Sequence, residues 1–532
     1  MLIGDALAFN ARNDPTAPAL VFEDRSLDWR ALNVGANRLA NALTKLGLRS
    51  GDRVVYVMDN CVEFLEVFYG LAKMGVIGAP VMTSSVGREI AYIARDLDAR
   101  LLICQASAAA AVQDAAPDMP NVAEVIGLGE GHPFGLDYET LTRSASDGEP
   151  EVELSPDHDL TVKYTSGTTG EPKGCLRTHR QLLMANVGNL FEVAHFPADK
   201  FAIASPLAAG IGLSLVSMHI LAGHPIVMLR KFDATAVLET YMREKITIGH
   251  ASFTIFKRVT SHPDLDQFDL SSLRLFSGTG STGGETRDGL LRLRRNSTFA
   301  GRFYTGFGAT EAGGRMTYLL PDDCDAALAD PNKTHLLESL GREARLCTVA
   351  ALDEQMKRVP DGEIGMMAVK APCVFKGYWN RPAETAMAFR DGWLMTGDLL
   401  RRDAEGYLTL AGRMADMIKT GGVNVYPAEI EPVLMASEHV AHAAVVGLSD
   451  PEWGEKVVAC VVRKRDCTEA DILEYCRSRL APYKRPKEIA FFDSLPETAT
   501  GKVVKSELKK NLLARQAGQE GSNPNLLKGE AQ

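Results

Sequence analysis

The chain has 532 residues, more than one hydrophobic core usually serves, so we expect a large domain and at least one further unit. Hydrophobic residues make up 45% of the chain and charged residues 24%, a balance that is typical of globular proteins and excludes wholesale disorder. The 58 basic and 68 acidic residues give a formal net charge of -10, which provides no general attraction to nucleic acid or to an anionic membrane. An anionic ligand must therefore be bound by local groups.

The first segment, MLIGDALAFNARNDP, has no basic stretch followed by an apolar one, so it does not predict a secretory signal. No apolar run reaches the roughly 18 to 20 residues needed to cross a bilayer. The nine cysteines are scattered and show no paired CxxC spacing. This pattern predicts a reduced, cytoplasmic protein with neither disulfides nor a zinc site.

Helical and strand patterns alternate from Ser26 to about Gly129. The runs WRALNVGANRLANALTKLG, CVEFLEVFYGLAKMG and REIAYIARDLDA predict helices, and RVVYVMDN, VIGAPV, RLLICQA and AEVIGLG predict short buried strands. The alternation resumes after Asp159 with the strand candidates LTVKYTSG, PIVMLR, ITIGHAS, LRLFSG and GRFYTG. Short buried strands separated by helices predict parallel sheets. We therefore predict a large α/β domain, residues 1–412, made of two packed α/β lobes.

The pattern changes beyond about Arg413. Helix PAEIEPVLMASE, strands HAAVVGLS and KVVACVVRK, helix EADILEYCRSRL and strand EIAFFDSL predict a small α+β domain over residues 413–513. Residues 514–532 lack periodicity and are rich in Gly, Gln, Asn and Ser, which predicts a disordered tail.

The segment YTSGTTGEPKG, from Tyr164 to Gly174, follows a strand candidate and is suited to binding phosphate. Its glycines let backbone N–H groups converge on an anion, its hydroxyls add donors, and its lysine adds a charge. It is neither a Walker A loop nor a dinucleotide GxGxxG motif. The candidate phosphate-binding residues are Thr165, Ser166, Gly167, Thr168, Thr169, Gly170 and Lys173.

Four further segments follow in the chain: FGATE, GWLMTGD, GRMADMIKTGGVNVYPAEIE and PETATGK. With these five segments, in this order, the chain resembles the adenylate-forming superfamily of acyl-CoA ligases, adenylation domains and luciferases. The resemblance covers about residues 1 to 513.

The resemblance implies a nucleotide site. Phe307 matches the aromatic residue on which adenine stacks, a role suited to a flat apolar ring. Thr310 corresponds to a hydroxyl that contacts phosphate, and Glu311 to the carboxylate that holds Mg²⁺ against ATP oxygens. Asp398 matches the acceptor for both ribose hydroxyls, and Arg413 a basic partner of the same nucleotide.

The resemblance also implies the chemistry. A carboxylate attacks the α-phosphate of MgATP to give acyl-AMP and pyrophosphate, and the thiol of coenzyme A then displaces AMP to give a thioester. Lys502 matches the catalytic lysine that reaches the carboxylate and the α-phosphate, where its compact ammonium suits developing charge. The protein mainly positions reactants and neutralises charge.

Small residues are expected where the acyl group and the thiol enter. In PLAAGIG, alanines stand where many relatives carry His or an aromatic residue, which favours an open acyl pocket or, equally, tight helix packing. Gly421 and Gly422 give backbone room along the path of coenzyme A. Ala415 occupies the hinge position, which is commonly Asp or Lys in the family. The pocket residues so implied are Ala208, Ala209, Gly280, Gly313 and Gly314.

The sequence thus predicts a cytoplasmic carboxylate–CoA ligase whose partners are a small carboxylic acid, ATP and coenzyme A. Neither nucleic acid nor a membrane span is expected, and the oligomeric state is left open. One alternative is a stand-alone adenylating enzyme that loads a carrier-protein phosphopantetheine. A second is a nucleotide-binding sensor without chemistry, although such a sensor would need no catalytic lysine.

Overall fold

The computed structural model describes residues 1–165, 171–208, 211–279, 284–497 and 503–520. These residues form helices and strands that alternate along most of the chain, as the hydrophobic patterns predict. The helices are α1 (Ile3–Asn13), α2 (Trp29–Lys45), α3 (Val62–Met74), α4 (Gly87–Leu97), α5 (Ala109–Ala115), α6 (Tyr138–Arg143), α7 (His179–Glu192), α8 (Gly212–Leu221), α9 (Ala234–Glu244), α10 (Phe253–Thr260), α11 (Gly284–Arg295), α12 (Pro321–Ala329), α13 (Pro382–Ala388), α14 (Pro427–Met435), α15 (Glu469–Arg477) and α16 (Lys505–Glu520).

The strands are short, as buried parallel strands usually are. They are β1 (Pro18–Phe22), β2 (Arg25–Asp28), β3 (Arg53–Val57), β4 (Ile77–Val81), β5 (Leu101–Gln105), β6 (Glu124–Leu128), β7 (Leu136–Asp137), β8 (Asp159–Thr165), β9 (Lys173–Thr178), β10 (Phe201–Ile203), β11 (Ile226–Met228), β12 (Ile248–Ser252), β13 (Leu275–Thr279), β14 (Arg302–Ala309), β15 (Gly314–Leu319), β16 (Arg342–Glu343), β17 (Thr348–Leu352), β18 (Ile364–Lys370), β19 (Gly377–Tyr378), β20 (Phe389–Arg390), β21 (Trp393–Arg402), β22 (Leu408–Arg413), β23 (Ile418–Thr420), β24 (Val423–Val425), β25 (Val440–Asp450), β26 (Gly454–Arg463) and β27 (Glu488–Phe492).

Two large sheets carry most of the first part of the chain. One has nine strands in the order β16-β15-β14-β13-β12-β10-β11-β1-β2, and the other has eight in the order β19-β9-β8-β4-β3-β5-β6-β7. Their central strands are parallel, as the sequence predicts. Antiparallel pairs occur toward the edges, at β8–β9 and β14–β15. The edge pairs matter because they carry the phosphate-loop and FGATE segments.

Helices cover both faces of each sheet. One core joins α1, α2, α3, α7 and α8 to residues of both sheets, such as Tyr56 on β3 and Phe201 on β10. A second core packs α9, α10 and α11 against the outer face of the nine-stranded sheet. A third packs α4 and α5 against the other sheet. The result is the layered arrangement of helices and sheets expected for two packed α/β lobes.

The chain divides into two compact units. The large unit comprises Met1–Val349, Ala368–Thr396 and Glu405–Leu408, and the small unit comprises Ala350–Met367, Gly397–Ala404 and the chain from Thr409 onward. The small unit therefore also takes two segments from before Arg413, the residue at which the sequence predicts the small domain to begin. The division of the chain into functional domains at residues 1–412 and 413–513 remains a prediction.

The small unit contains a five-stranded sheet in which β24, β23, β26 and β25 lie in that order and β27 pairs with β26. Helices α14 and α15 pack on one core of this sheet, and α16 packs on a second core through Leu508 and Leu512. This is the α+β pattern predicted from the last hundred residues.

The tail departs from its prediction. Residues 514–520, predicted to be unstructured, are the last turns of α16, where Arg515 donates a 3.1 Å hydrogen bond to the carbonyl of Phe491. The apolar residues Leu508 and Leu512 pack the helix against the core. The polar residues after them can therefore extend the helix although they have no hydrophobic periodicity. The rest of the predicted tail lies outside the described residues.

Within the described ranges, no helix is long and apolar enough to cross a membrane. All nine cysteines are free, and seven of them are buried.

Candidate active site

One face of the edge hairpin β8–β9 gathers cationic side chains. Residues directly opposite on paired strands share a face, and the register pairs Thr161 with Arg177, Lys163 with Cys175, and Thr165 with Lys173. Tyr378 on the neighbouring strand β19 is opposite Cys175 and so joins the same face. We call this set the cationic face; its members are Lys163, Thr165, Lys173, Arg177 and Tyr378.

Burial makes these charges unusual. The Arg177 side chain is buried, and its guanidinium donates a 2.8 Å hydrogen bond to the carbonyl of Thr310. Desolvation, followed by the Arg177 charge, lowers the pKa of Lys163 to about 7. The Nζ of Lys173 lies 5.2 Å above the centre of the Tyr378 ring. Since like charges in a low dielectric repel one another, this face is built to receive an anion.

Glu311 is the acidic group that faces this cluster. The Tyr378 hydroxyl donates a 3.0 Å hydrogen bond to Glu311 Oε1, and the backbone N–H of Phe375 donates a 2.8 Å bond to the Glu311 carbonyl. Burial and the Glu311 charge raise the pKa of Tyr378, which keeps the phenol protonated as a donor. The carboxylate is half-buried and held at one oxygen, an arrangement compatible with a hard cation such as Mg²⁺.

The FGATE segment brings Glu311 to the end of a strand. Phe307, half-buried, lies near the end of β14 and is paired with Thr317. The pairing slips by one residue between Phe307 and Gly308, a bulge of the kind that re-aims side chains beside functional sites. Thr310 and Glu311 follow β14 directly, at the carboxyl edge of the parallel strands, where α/β proteins place their ligands.

Gly313 is required by its surroundings. Its φ is +86°, and a Cβ atom there would lie 1.8 Å from the carbonyl oxygen of Cys373. The Cys373 thiol contacts the carbonyl of Ala312 at 3.4 Å. The neighbouring Gly314 is different, because a Cβ atom on it would meet only Ala185 at 3.7 Å.

A small, partly open cavity lies beside Gly314. Its wall consists of Met184, Ala185, Gly188, Asn189, Gly314, Arg315, Tyr318, Ala344, Leu346, Cys347 and Cys373. Of the predicted pocket residues, Gly314 lines this cavity and Gly313 adjoins it. Ala208 is buried and is not among the described residues of this wall, and its role in an acyl pocket or in packing remains a prediction.

Arg315 is the polar end of this cavity. It is 5% exposed, donates hydrogen bonds to Ser277 Oγ at 2.7 Å and to the Gly278 carbonyl at 3.0 Å, and lies over the rings of Tyr304 and Tyr318. Its Nε has no hydrogen-bond partner among the described residues, and no carboxylate in those ranges pairs with it. The Tyr318 hydroxyl donates to Asn189.

Two of the predicted nucleotide residues, Asp398 and Arg413, belong to the small unit. Asp398 on β21 is 2% exposed at its side chain, and its Oδ1 lies 2.8 Å from Arg413 Nε at the end of β22. Ala415 follows in a single exposed 3₁₀ turn, Met414–Asp416. The Asp398–Arg413 pair therefore presents a preoriented carboxylate whose charge is partly compensated.

Gly421 and Gly422 form the two-residue loop of the hairpin between β23 and β24. Their φ values are +57° and +79°, which is the signature of a type I′ turn that favours glycine. The Gly421 N–H donates a 2.8 Å bond to the Trp453 carbonyl, and the Trp453 ring lies 4.5 Å from Lys487 Nζ. The turn thus explains both glycines without reference to a ligand.

Several predicted site residues lie outside the described residues. They are Ser166, Gly167, Thr168, Thr169, Gly170, Ala209, Gly280 and Lys502. Sequence reasoning did not single out three residues of the cationic face: Arg177, Tyr378 and Lys163. Strand register after the phosphate loop would have placed Lys163 and Arg177 on one face, but nothing in the local sequence marks Tyr378.

Comparisons with known proteins identify the family of this chain. The family model described as AMP-binding enzyme matches residues 7–379, and the model of the AMP-binding enzyme C-terminal domain matches residues 429–502. A long-chain-fatty-acid–CoA ligase of Mycobacterium tuberculosis is 34% identical over 495 residues, which cover 92% of this chain and 94% of that protein. A feruloyl-CoA synthase of Amycolatopsis is 32% identical, over 94% of this chain and 97% of that protein.

A solved structure described as an anthranilate CoA ligase in complex with anthranoyl-AMP superimposes with a TM-score of 0.84 at 28% identity, covering 97% of this chain and 98% of that one. The chain belongs to the AMP-binding enzyme family, in its adenylate-forming acyl-CoA synthetase branch. The predicted resemblance and fold class are thereby confirmed.

Proposed function

We propose that this protein is an ATP-dependent carboxylate–CoA ligase. A carboxylate oxygen attacks the α-phosphorus of ATP, pyrophosphate leaves, and the acyl-AMP so formed is attacked at its carbonyl by the thiol of coenzyme A, which releases AMP. The observation that carries the proposal is the cationic face with Glu311 at its side, since Lys173, Arg177 and a lysine that gains its charge on binding an anion, Lys163, match a polyphosphate with its Mg²⁺.

Each group of that face has a role in the proposal. Lys173 and Lys163 bind the phosphate oxygens together with the loop donors from Thr165 to Gly170. Arg177 holds the Thr310 carbonyl at 2.8 Å and so positions the Thr310 hydroxyl for the phosphate. Glu311, oriented by Tyr378, would hold Mg²⁺, which neutralises phosphate charge when bound.

The nucleoside is assigned to three residues. Phe307 offers its half-buried ring to adenine, and Asp398 accepts hydrogen bonds from the ribose hydroxyls while Arg413 keeps it oriented. Lys502 supplies the charge at the α-phosphate in the first step, and Ala415 is the hinge that withdraws it for the second.

The acyl group is assigned to the cavity beside Gly314. Its wall combines small and apolar residues with the polar group formed by Arg315, Asn189 and Tyr318, so we expect an acid that has an apolar body and a hydrogen-bonding far end. Gly421 and Gly422 remain our assignment for the backbone passed by coenzyme A. The free cysteines support a reducing, cytoplasmic location.

The test is a panel of carboxylic acids that differ in length, branching and far-end polarity. Pyrophosphate release is measured with MgATP alone, and AMP and thioester are measured after coenzyme A is added. The proposal requires acid-dependent pyrophosphate release and a thioester that forms only with coenzyme A.

Two outcomes would contradict it. Pyrophosphate release followed by transfer only to a phosphopantetheinylated carrier protein would show a carrier-loading enzyme. ATP binding with no acid-dependent pyrophosphate release for any acid would show a nucleotide sensor.

A further inference from the structure

Three histidines of the large unit lie together, outside the motifs of the nucleotide site. We call His195, His219 and His224 the histidine cluster. One ring nitrogen from each lies within 4.8 Å of the others, and the two Nδ1 atoms of His219 and His224 are 3.0 Å apart. The ring centres form a nearly equilateral triangle, with sides of 5.7 Å, 5.6 Å and 5.3 Å.

Secondary structure holds two of these rings in place. His219 is in the last turn of α8 and stacks on Phe201 with ring centres 3.9 Å apart. His224 follows that helix, and its backbone N–H donates a 2.9 Å hydrogen bond to the backbone carbonyl of His219. His195 belongs to the connection between α7 and β10. The cluster therefore lies where β10 and β11 begin, at the sheet edge opposite the one to which β14 delivers Glu311.

The donors of the cluster are buried and incompletely satisfied. His219 is 1% exposed and His224 is 2% exposed. His195 is half-buried, and neither of its ring nitrogens has a hydrogen-bond partner among the described residues. Buried polar atoms are nearly always paired, because an unpaired one costs about 1 to 3 kcal/mol. A buried imidazole with no hydrogen-bond partner at either nitrogen, beside two other buried imidazoles, indicates a missing partner.

The electrostatics favour neutral imidazoles. Burial and the neighbouring His224 lower the pKa of His195 to about 4, and burial also lowers the pKa values of His219 and His224. The nearest charged groups, Asp199 and Arg274, are paired with each other at 2.5 Å. Each ring is therefore neutral at neutral pH, and a neutral imidazole is the form that binds metals.

We propose that His195, His219 and His224 bind one late first-row divalent cation of the Zn²⁺ type, with the fourth position open beside the partly exposed His195. Zinc–nitrogen bonds of about 2.0 to 2.1 Å at tetrahedral angles place ligand nitrogens about 3.3 Å apart and ring centres about 5 Å apart. The observed triangle needs to contract by less than about 1 Å at its ring centres to reach that geometry.

The ion takes the place of the proton between the two Nδ1 atoms, and that proton moves to Nε2 of its own ring. The Mg²⁺ used with ATP does not compete, because it prefers oxygen ligands. The ion would tie the α7–β10 connection to the end of α8, at the sheet edge away from Glu311. A ligand that binds only the folded protein raises the free energy of unfolding.

The test uses the full chain without a histidine tag, stripped with a chelator and kept free of ATP. Zn²⁺ is titrated by calorimetry, and Co²⁺ is titrated by visible absorbance, because a tetrahedral Co²⁺ site gives intense bands. We expect one equivalent to bind, Co²⁺ bands that Zn²⁺ abolishes, and a higher melting temperature with Zn²⁺. The absence of stoichiometric binding to the unaltered protein overturns the proposal.

The matched variant is His195→Phe, which keeps an aromatic ring beside His224 and removes both unpaired nitrogens. We expect the Zn²⁺ affinity of this variant to fall by at least about 100-fold, because losing a ligand weakens binding more than losing a residue that only hydrogen-bonds to a ligand. We also expect its melting temperature to become insensitive to Zn²⁺. His335→Ala, at an exposed histidine of the same unit, is the control that keeps parental binding. If His195→Phe is poorly folded by circular dichroism, His195→Asn replaces it, and parental Zn²⁺ affinity in either folded variant contradicts the proposal.

Discussion

The Tyr378 hydroxyl donates a 3.0 Å hydrogen bond to the carboxylate of Glu311. This bond joins two segments that are 67 residues apart in the chain, and it gives Glu311 a fixed orientation beside the cations of the cationic face. A carboxylate held at one oxygen keeps the other lone pairs for a metal ion, so Tyr378 acts as a positioning residue for the magnesium role that we propose for Glu311.

Glu311→Gln should raise the Mg²⁺ concentration needed for half-maximal acid-dependent pyrophosphate release by about tenfold or more, with weak turnover at saturation. The amide oxygen can still accept the Tyr378 hydrogen bond, so the fold and the melting temperature should be preserved. The measurement is a Mg²⁺ titration at fixed ATP. An unchanged titration would assign Glu311 a purely structural role.

Tyr378→Phe is the companion variant. It removes only the hydrogen bond to Glu311, so we expect a smaller shift in the same Mg²⁺ titration and no change in the response to acid concentration. A shift equal to that of Glu311→Gln would mean that Tyr378 contributes more than orientation.

Gly313→Ala should lower stability strongly and Gly314→Ala should hardly change it, although the two residues are adjacent. At Gly313 a methyl group meets the Cys373 carbonyl at 1.8 Å with φ at +86°, so we expect a loss of more than about 2 kcal/mol in the free energy of unfolding. At Gly314 the nearest atom is the Ala185 Cβ at 3.7 Å, so stability should change by less than about 0.5 kcal/mol.

Because Gly314 lines the cavity, Gly314→Ala should instead raise KM for the bulkiest acids of the panel and spare the smallest. Denaturant midpoints and KM values for both variants make the comparison. Equal midpoints for the two alanine variants would contradict the packing described at Gly313.

MgATP binding should be accompanied by proton uptake at pH 8. Burial lowers the pKa of Lys163 to about 7, so in the free protein this lysine is mostly neutral at pH 8. Phosphate oxygens beside it favour the charged form and raise its pKa on binding. The affinity for MgATP should therefore decline as the pH rises above 7.

Calorimetry in two buffers with different ionisation enthalpies measures the uptake directly. Lys163→Arg, whose side chain stays charged at every pH of the experiment, should bind MgATP without proton uptake. The same uptake in this variant would show that another group titrates on binding.

Lys502→Ala should slow acyl-adenylate formation by roughly 10²- to 10³-fold, the loss expected for one contact to developing charge. Conversion of added acyl-AMP to thioester by coenzyme A should continue at a substantial rate, because Lys502 is proposed to act only in the first step. The two half-reactions are assayed separately, and an equal loss in both would refute the assignment.

The sequence by itself determined the elements and the family. The helix of residues 62–74 is predicted by its apolar period and ends where Gly75 takes a φ of +69°, because both signals are local. The same holds for strand β8 before the phosphate loop and for the motifs that carry the resemblance, whose order along the chain needs no folding to be recognised.

The tertiary structure alone decided which distant residues meet. The pKa of Lys163 depends on its burial beside Arg177. The proposed role of Tyr378 depends on the pairing of β19 with β9. The ion pair between Asp398 and Arg413 depends on β21 and β22 being brought together. Cysteine spacing predicted no zinc site, whereas the histidine cluster draws its members from a connection, a helix end and a turn, with no spacing that a motif search recognises. Strand register, burial and contacts between distant residues arise only when the chain folds. An unfolded chain has neither the low dielectric nor the proximity that creates them.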